Sequence, residues 1–467
     1  MENLKQEKMA VMPIRKLMLS MGIPMILSMV LQAVYNIVDS VFVSNMPENG
    51  EAALNALTLA FPAQMLMVAV GIGTGVGVNV LVAKSLGQGD RERAGNAAGN
   101  GIFMAIMICI AFLLFGMFGV RAYISSQTDN GLIKEMAAEY LQICCMLSFG
   151  IVFFSIYEKL LQSTGHSICS TIAQISGAAV NMILDPIMIY GLLGCPAMGV
   201  RGAAYATVIG QIVSFGVALL LHLRVNKVIS NRLCYLKPSL QMIRLIYAIG
   251  LPAIIAQALM SVMTYGLNII LGSISESMVT AYGLFYKIQQ FLLFAAFGMR
   301  DAIMPITAFN FGMGSKRRVD EAMKYGMVFT LVIMLAGTLA LELFAEPFSV
   351  MFGLSGETHR LCVSAMRIIS LSFVFAGANV VFQGIFQALD GGAESLVISL
   401  CRQLLFIFPL TLLFAHYAKV NLEYTWTVWI AFPITEILSV IISIILFQRI
   451  YRNKIASAFR NNNQEAD

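Results

Sequence analysis

Residues 15–28 read RKLMLSMGIPMILS, and residues 243–256 read IRLIYAIGLPAIIA. Each carries a Gly-X-Pro at the same place in an apolar run, Gly22 to Pro24 and Gly250 to Pro252. The pairing recurs along the chain. SLGQGDRERAGNA (85–97) faces NFGMGSKRRVDEA (310–322), both Gly-X-Gly turns followed by a basic cluster. LLQSTGHS (160–167) faces IFQALDGG (385–392). The offset is 228 for the first pair (15 against 243) and 225 for the other two (85 against 310, 160 against 385). Three ordered matches at nearly constant spacing indicate a duplicated chain.

Lipid is the solvent for most of it. Of 467 residues, 58% are hydrophobic and 12% charged, where a soluble domain carries about 25% charged. Mean hydropathy is +0.80. A spanning helix needs about 20 mostly apolar residues. Twelve segments qualify: 14–43, 57–84, 96–119, 137–161, 170–193, 201–224, 240–272, 278–309, 322–345, 362–389, 395–415 and 424–448. Run length and the lack of period-two alternation exclude a barrel.

The expected fold is therefore an all-α membrane protein of about twelve transmembrane helices in two six-helix bundles. Six helices per half preserve orientation, so the halves are parallel repeats related by a pseudo-twofold axis along the membrane normal. The expected boundaries are a cytoplasmic N-terminus 1–13, an N-terminal bundle 14–224, a cytoplasmic linker 225–239, a C-terminal bundle 240–448 and a cytoplasmic tail 449–467. The polar, basic start MENLKQEKMAVMPIRK precedes a run too long for a signal peptide and broken by Asp39, so the run reads as a retained first helix.

With the N-terminus inside, 22 of the 30 lysines and arginines, Arg402 among them, fall on inside segments and six on outside ones. Lys287 and Arg300 lie within the eighth helix. The positive-inside rule then places both termini in the cytoplasm. A net charge of +5 suits loops beside an anionic leaflet and calls for no nucleic acid. There is no P-loop, Rossmann, HExxH or CxxC pattern, and the eight cysteines lack zinc-like spacing. No cofactor is expected.

Ionisable residues inside a span are costly and point to function. In LQAVYNIVDSVFV (31–43), Gln32, Tyr35, Asn36 and Asp39 follow an i, i+3, i+4, i+7 spacing and share one helix face. In GAAVNMILDPIMIYG (177–191), Asn181 stands one turn before Asp185, and Pro186 follows directly. Proline removes a helix hydrogen bond and favours a kink. Tyr205 and Thr207 of the sixth helix would supply hydroxyl partners. A carboxyl group in a poorly hydrated cavity loads a proton closer to neutral pH, and a second carboxylate nearby strengthens the effect. The same oxygens would also hold Na⁺.

The positions facing Asp39 and Asp185 in the second half are near Leu267 and Pro409. The acids are thus confined to the N-terminal bundle. Glu158, beside Lys159 near the end of the fourth helix, reads first as an interfacial ion pair. Arg300 and Asp301 are either a functional charge pair of the C-terminal bundle or a structural one, and Gln257 is a candidate for lining a central cleft.

These residues resemble a family. GIPMILSMVLQAVYNIVDSVFV, KSLGQGDRERA, LQSTGHS, NMILDPIMIYG and PITAFNFG together are similar to prokaryotic multidrug and toxic-compound extrusion (MATE) transporters over roughly residues 14–450. The resemblance implies export of organic, often cationic or amphipathic compounds, coupled to H⁺ or Na⁺ influx through alternating access. In proton-coupled members an acid in the first helix and an Asn/Asp pair in the fifth form a network. Asp39, Asn181 and Asp185 match those positions, with Gln32, Tyr35 and Thr207 around them. Sodium-coupled relatives are described with acids in the seventh and tenth helices, where this chain has Gln257, Gln383 and Gln387. The resemblance also implies a bacterial inner-membrane protein acting as a monomer on small organic substrates.

A lipid-linked saccharide flippase or polysaccharide exporter would favour an arginine-rich cleft to hold pyrophosphate, and Arg300 is the one arginine read well inside a span. A membrane enzyme would need a catalytic cluster, and the four histidines scatter toward helix ends. A channel would need a ring of repeated polar residues, which the spans do not supply.

Overall fold

The computed structural model describes residues 8–47, 49–230, 232–351 and 354–457. All regular structure among them is helical. In the first half, α1 (Lys8–Val11) is followed by α2 (Ile14–Ser44), α3 (Gly50–Gly87), α4 (Arg91–Leu114), α5 (Val120–Ser125), α6 (Gly131–Met146), α7 (Phe149–Ser163), α8 (Ser167–Tyr190) and α9 (Val200–Val225). Then come α10 (Leu240–Gly272), α11 (Glu276–Gly312), α12 (Lys316–Met351), α13 (Gly356–Ser370), α14 (Phe373–Ala388), α15 (Gly392–Leu400), α16 (Ile407–Val420) and α17 (Ala431–Ile450). Wider π turns at Phe115–Gly119 and Cys401–Leu405 join α4 to α5 and α15 to α16.

Ten helical stretches are long and apolar enough to cross a bilayer. There are twelve when the bent pairs α6–α7 (47°) and α13–α14 (51°) each count as one span. Each matches one of the segments read from the sequence. Local chemistry sets the ends. The second glycine of each Gly-X-Gly turn, Gly89 (φ 77°) and Gly314 (φ 74°), takes the left-handed backbone that glycine adopts without strain. Asp90 then caps α4 by accepting from the Arg93 amide at 2.8 Å.

The helices gather into two compact units. The first holds residues up to Val11 and Leu27–Ile254; the second holds Met12–Ile26 and the chain from Ile255 onward. The division therefore does not fall at the 225–239 linker. It cuts α2 and α10 two residues beyond Pro24 and Pro252. Glycines explain the allegiance of the leading segments. A Cβ on Gly250 would come 2.7 Å from the Gly73 carbonyl, so α10 meets α3 backbone to backbone within the first unit. A Cβ on Gly298 would come 2.7 Å from Ile26 Cα, which docks the start of α2 on α11 within the second. Without a hydrophobic drive between helices in lipid, such close approach is what holds them.

The two cores differ. One in the first unit is built on small side chains, with Ala53, Ala56, Ala60, Ala137, Ala203 and Ala204 fully buried. The second unit packs large rings, with Tyr282, Phe285, Phe373 and Trp429 in one cluster. Tyr282 stacks on Trp429 at 6.4 Å between centroids.

Candidate functional site

Asn181 and Asp185 stand one turn apart on α8 and project from the same face. Both are buried, at 3% and 0% exposure. Asn181 Nδ2 donates to Asp185 Oδ1 at 3.2 Å. Pro186 lies inside the helix, and having no N–H it leaves the Met182 carbonyl without its usual helical donor. Asp39 comes in from α2. It is close enough for its charge to act on Asp185, on Tyr35, and on Tyr140 and Cys144 of α6.

Three acceptor atoms define the site. Asp39 Oδ1, Asn181 Oδ1 and Asp185 Oδ2 are all buried with no hydrogen-bond partner among the described residues. A buried polar atom left unpaired costs roughly 1–3 kcal/mol, more when charged. Three acceptors left without a hydrogen-bond partner among the described residues are satisfied by what brings positive charge, a proton or a small cation. Beside it lies a cavity of about 50 Å³, room for a few water molecules. It is lined by Gln32 and Tyr35 of α2, Glu158 and Lys159 of α7, Asn181 of α8 and Thr207 of α9.

Most of the polar face read on the first helix is thus brought together with the fifth-helix pair. The Asn36 side chain lies outside the described residues. Tyr205 is not part of the site: it is 37% exposed, because two residues from Thr207 on a helix it points to the other side. Gln257 is exposed on the part of α10 that belongs to the second unit. Arg300 and Asp301 pair with each other at 2.9 Å in the second unit, and the guanidinium lies 4.9 Å from the Phe297 ring centroid.

Glu158 and Lys159 are more buried than their place near a helix end suggests. Glu158 is 9% exposed and Lys159 1%, and Gln162 links them. Lys159 Nζ donates to Gln162 Oε1 at 2.9 Å, and Gln162 Nε2 donates to Glu158 Oε1 at 3.0 Å.

Two features escaped the sequence reading. Tyr140, 3% exposed, lies by Gln64 and near enough to Asp39 to feel its charge; neither Tyr140 nor Gln64 is charged, and nothing in the pattern marks them. The other is a largely buried ion pair in the second unit, its side chains 11% and 14% exposed. Arg402, counted with the inside charges, lies within the Gly392–Val420 span. It donates to Glu436 of α17 through three bonds, Nη2 to Oε1 at 2.8 Å and Nε to Oε2 at 2.9 Å and to Oε1 at 3.0 Å. Arg300 is therefore not the only arginine inside a span. Asn379 Nδ2 donates to Glu436 Oε2 at 2.8 Å, and Ser443 donates to Asn379 Oδ1 at 2.8 Å. One and two turns along α14, Gln383 donates to Ser399 at 3.1 Å and Gln387 to Ser395 at 3.0 Å. The signal was present: Glu436 is the lone acid in FPITEILSVII (432–442), and Asn379, Gln383 and Gln387 are spaced by four.

A polytopic helical bundle with an acid cluster buried in one unit has the architecture of a membrane transporter. The family model described as MatE matches residues 24–187 and again 252–413. The chain belongs to the MatE family, the multidrug and toxic-compound extrusion transporters. It is similar to the multidrug export protein MepA of Staphylococcus saprophyticus, 22% identical over 439 residues covering 94% of this chain and 95% of that one. The MepA of Staphylococcus aureus MRSA252 is 21% identical with the same coverage. Among solved structures it is similar to MATE in the straight conformation, with a TM-score of 0.88, 25% identity and coverage of 97% and 99%. A MOP superfamily transporter from Pyrococcus furiosus gives 0.86 at 25% identity, covering 96% and 98%.

Proposed function

We propose that this chain is a secondary active antiporter exporting organic, often cationic or amphipathic compounds in exchange for H⁺, with Na⁺ the less favoured ion. It works by alternating access, as a monomer in a bacterial inner membrane with both termini in the cytoplasm. Family membership and the relatives named as multidrug export proteins support the drug side of this reading. The observation that carries the coupling side is the set of three unpartnered oxygens on Asp39, Asn181 and Asp185.

Two carboxylates sharing a poorly hydrated site repel each other, and a proton on either removes that repulsion. A protonated Asp185 gains the donor that the unpaired acceptors lack. Loading therefore changes which hydrogen bonds exist at the point where Pro186 interrupts α8. A cationic compound satisfies the same charge from outside the cluster, so proton and substrate exclude each other. The flippase reading gains nothing from Arg402, whose guanidinium is held on Glu436.

The test is drug-stimulated proton release from proteoliposomes, comparing wild type with Asp39→Asn and Asp185→Asn. Both variants are expected to lose the exchange; undiminished exchange in both overturns the reading. Replacing Na⁺ by choline is expected to leave wild-type exchange intact, and its loss would assign the coupling to sodium.

A further inference from the structure

The cavity beside the acid cluster is not lined by that cluster alone. Asn181 lines it, and so do Glu158 and Lys159, five and four residues before α7 ends at Ser163. We propose that Glu158 is a way-station for the coupling proton. It would take the proton from the Asp39–Asn181–Asp185 cluster through water in this shared cavity and pass it to the cytoplasmic side, with Lys159 and Gln162 as its positioning residues. The inference rests on the antiporter reading and extends it.

Four observations carry it. First, the cavity is polar enough to keep water: Gln32, Gln174, Gln211 and Thr207 line it, where an apolar void of similar size would stay dry. Second, among the described lining residues the titratable ones are Tyr35, at the acid end, and Glu158 and Lys159. Third, neither charge is there for packing. Acidic and basic side chains are almost never this buried unless paired, and well-packed apolar residues in their place are often as stable or more so. Fourth, the fold makes room for them. A Cβ on Gly75 of α3 would come 2.9 Å from Lys159 Cγ and 3.0 Å from the Ser155 carbonyl.

The chemistry balances as proton transfer alone. An O–H bond of a protonated cluster carboxyl breaks as a bond to a cavity water forms, and that water gives one of its protons to the Glu158 carboxylate. The Glu158 carboxyl then releases it beyond the end of α7. Lys159 offsets the negative charge of Glu158 between transfers. Gln162, donating to Glu158 and accepting from Lys159, fixes the carboxyl plane.

The test uses the full chain in proteoliposomes enclosing a pH-sensitive dye, with ethidium as the transported probe. Glu158→Gln is expected to slow ethidium-stimulated proton release by about a hundredfold, the low end for a positioned proton-transfer group. Ethidium binding at fixed pH should stay unchanged. Glu158→Asp is expected to recover much of the rate with a displaced pH–rate profile, which a merely structural role would not produce. Wild-type exchange in Glu158→Gln overturns the proposal. If that variant does not assemble, Glu158→Asp decides, and a wild-type pH–rate profile overturns the proposal. Asp185→Asn run alongside separates the two readings. Proton release persisting there defeats the antiporter reading itself, whereas its loss beside an unaffected Glu158→Gln defeats only the relay.

Discussion

Asn181 and Asp185 are tied to each other by one hydrogen bond of 3.2 Å, and the Asn181 Oδ1 and Asp185 Oδ2 atoms stay buried with no hydrogen-bond partner among the described residues. The pair is therefore under-satisfied as it stands, and a proton completes it. Asn181→Leu removes the bond and one acceptor while keeping similar volume. Exchange is expected to fall about tenfold or more, the cost of one hydrogen bond to a charged group being roughly 1.5–3 kcal/mol. Initial rates of drug-stimulated proton release in proteoliposomes check it. Wild-type rates would show that Asn181 has no part in holding Asp185.

Arg402 and Glu436 predict an asymmetry in stability. Breaking a buried pair by removing one partner costs about 3–5 kcal/mol, while replacing both by apolar groups is often neutral. Arg402→Met and Glu436→Gln should each lower the thermal unfolding midpoint in detergent, and Arg402→Met with Glu436→Leu should recover much of the loss. Additive losses in the double variant would mean that the two side chains act independently.

The backbone contacts of α3 predict which glycines tolerate no side chain. At Gly73 an added methyl would come 2.9 Å from the Gly250 carbonyl, and at Gly77 it would collide with the Ile246 carbonyl. Backbone cannot step aside as a flexible side chain can, so each Gly→Ala change is expected to cost about 1–3 kcal/mol. Gly216, where a Cβ would meet nothing within 4 Å, serves as the control. Equal unfolding temperatures for all three variants would refute the contact argument.

His166 gives a pH prediction outside the spans. It sits in the turn before α8, with Nδ1 3.0 Å from the Thr164 hydroxyl. Burial, then the nearby Lys8 charge, lowers its pKa from the ordinary 6.5. A histidine whose folded value is depressed stabilises the fold fully above the unfolded value, and that share is lost as pH falls below about 6.5. The unfolding midpoint should therefore drop between pH 7.5 and 5.5, by less in His166→Gln. The same drop in both would assign the effect to other groups.

How much of this was legible depended on what kind of fact each feature is. Asp39, Asn181 and Asp185 could be read because a charge in an apolar run is an anomaly of one helix, visible without knowing its neighbours. Tyr140 and Gln64 could not, since an uncharged residue near a span end becomes meaningful only once α6 and α3 pack beside Asp39. Arg402 illustrates the limit of charge counting: a count of inside charges takes it as one of 22, yet its partner stands 34 residues away on α17. Tyr205 failed for the opposite reason, since its face of α9 is fixed by packing and not by proximity to Thr207. The Gly-X-Pro pairs marked the duplication correctly and lie within two residues of where the units divide. The pattern alone does not say which unit each flanking segment joins.

That division bears on whether the two halves of the gene can live apart. The sequence pattern suggests cutting the polypeptide inside the 225–239 linker to separate them. Yet the N-terminal fragment would carry Met12–Ile26, which belongs to the other unit, and would lack Leu240–Ile254, which belongs to its own. Neither fragment holds the whole of either unit, and each is short of about four turns of helix at 3.6 residues per turn. The halves of this duplication are therefore interleaved, each unit completed by a segment of helix from the other half of the polypeptide.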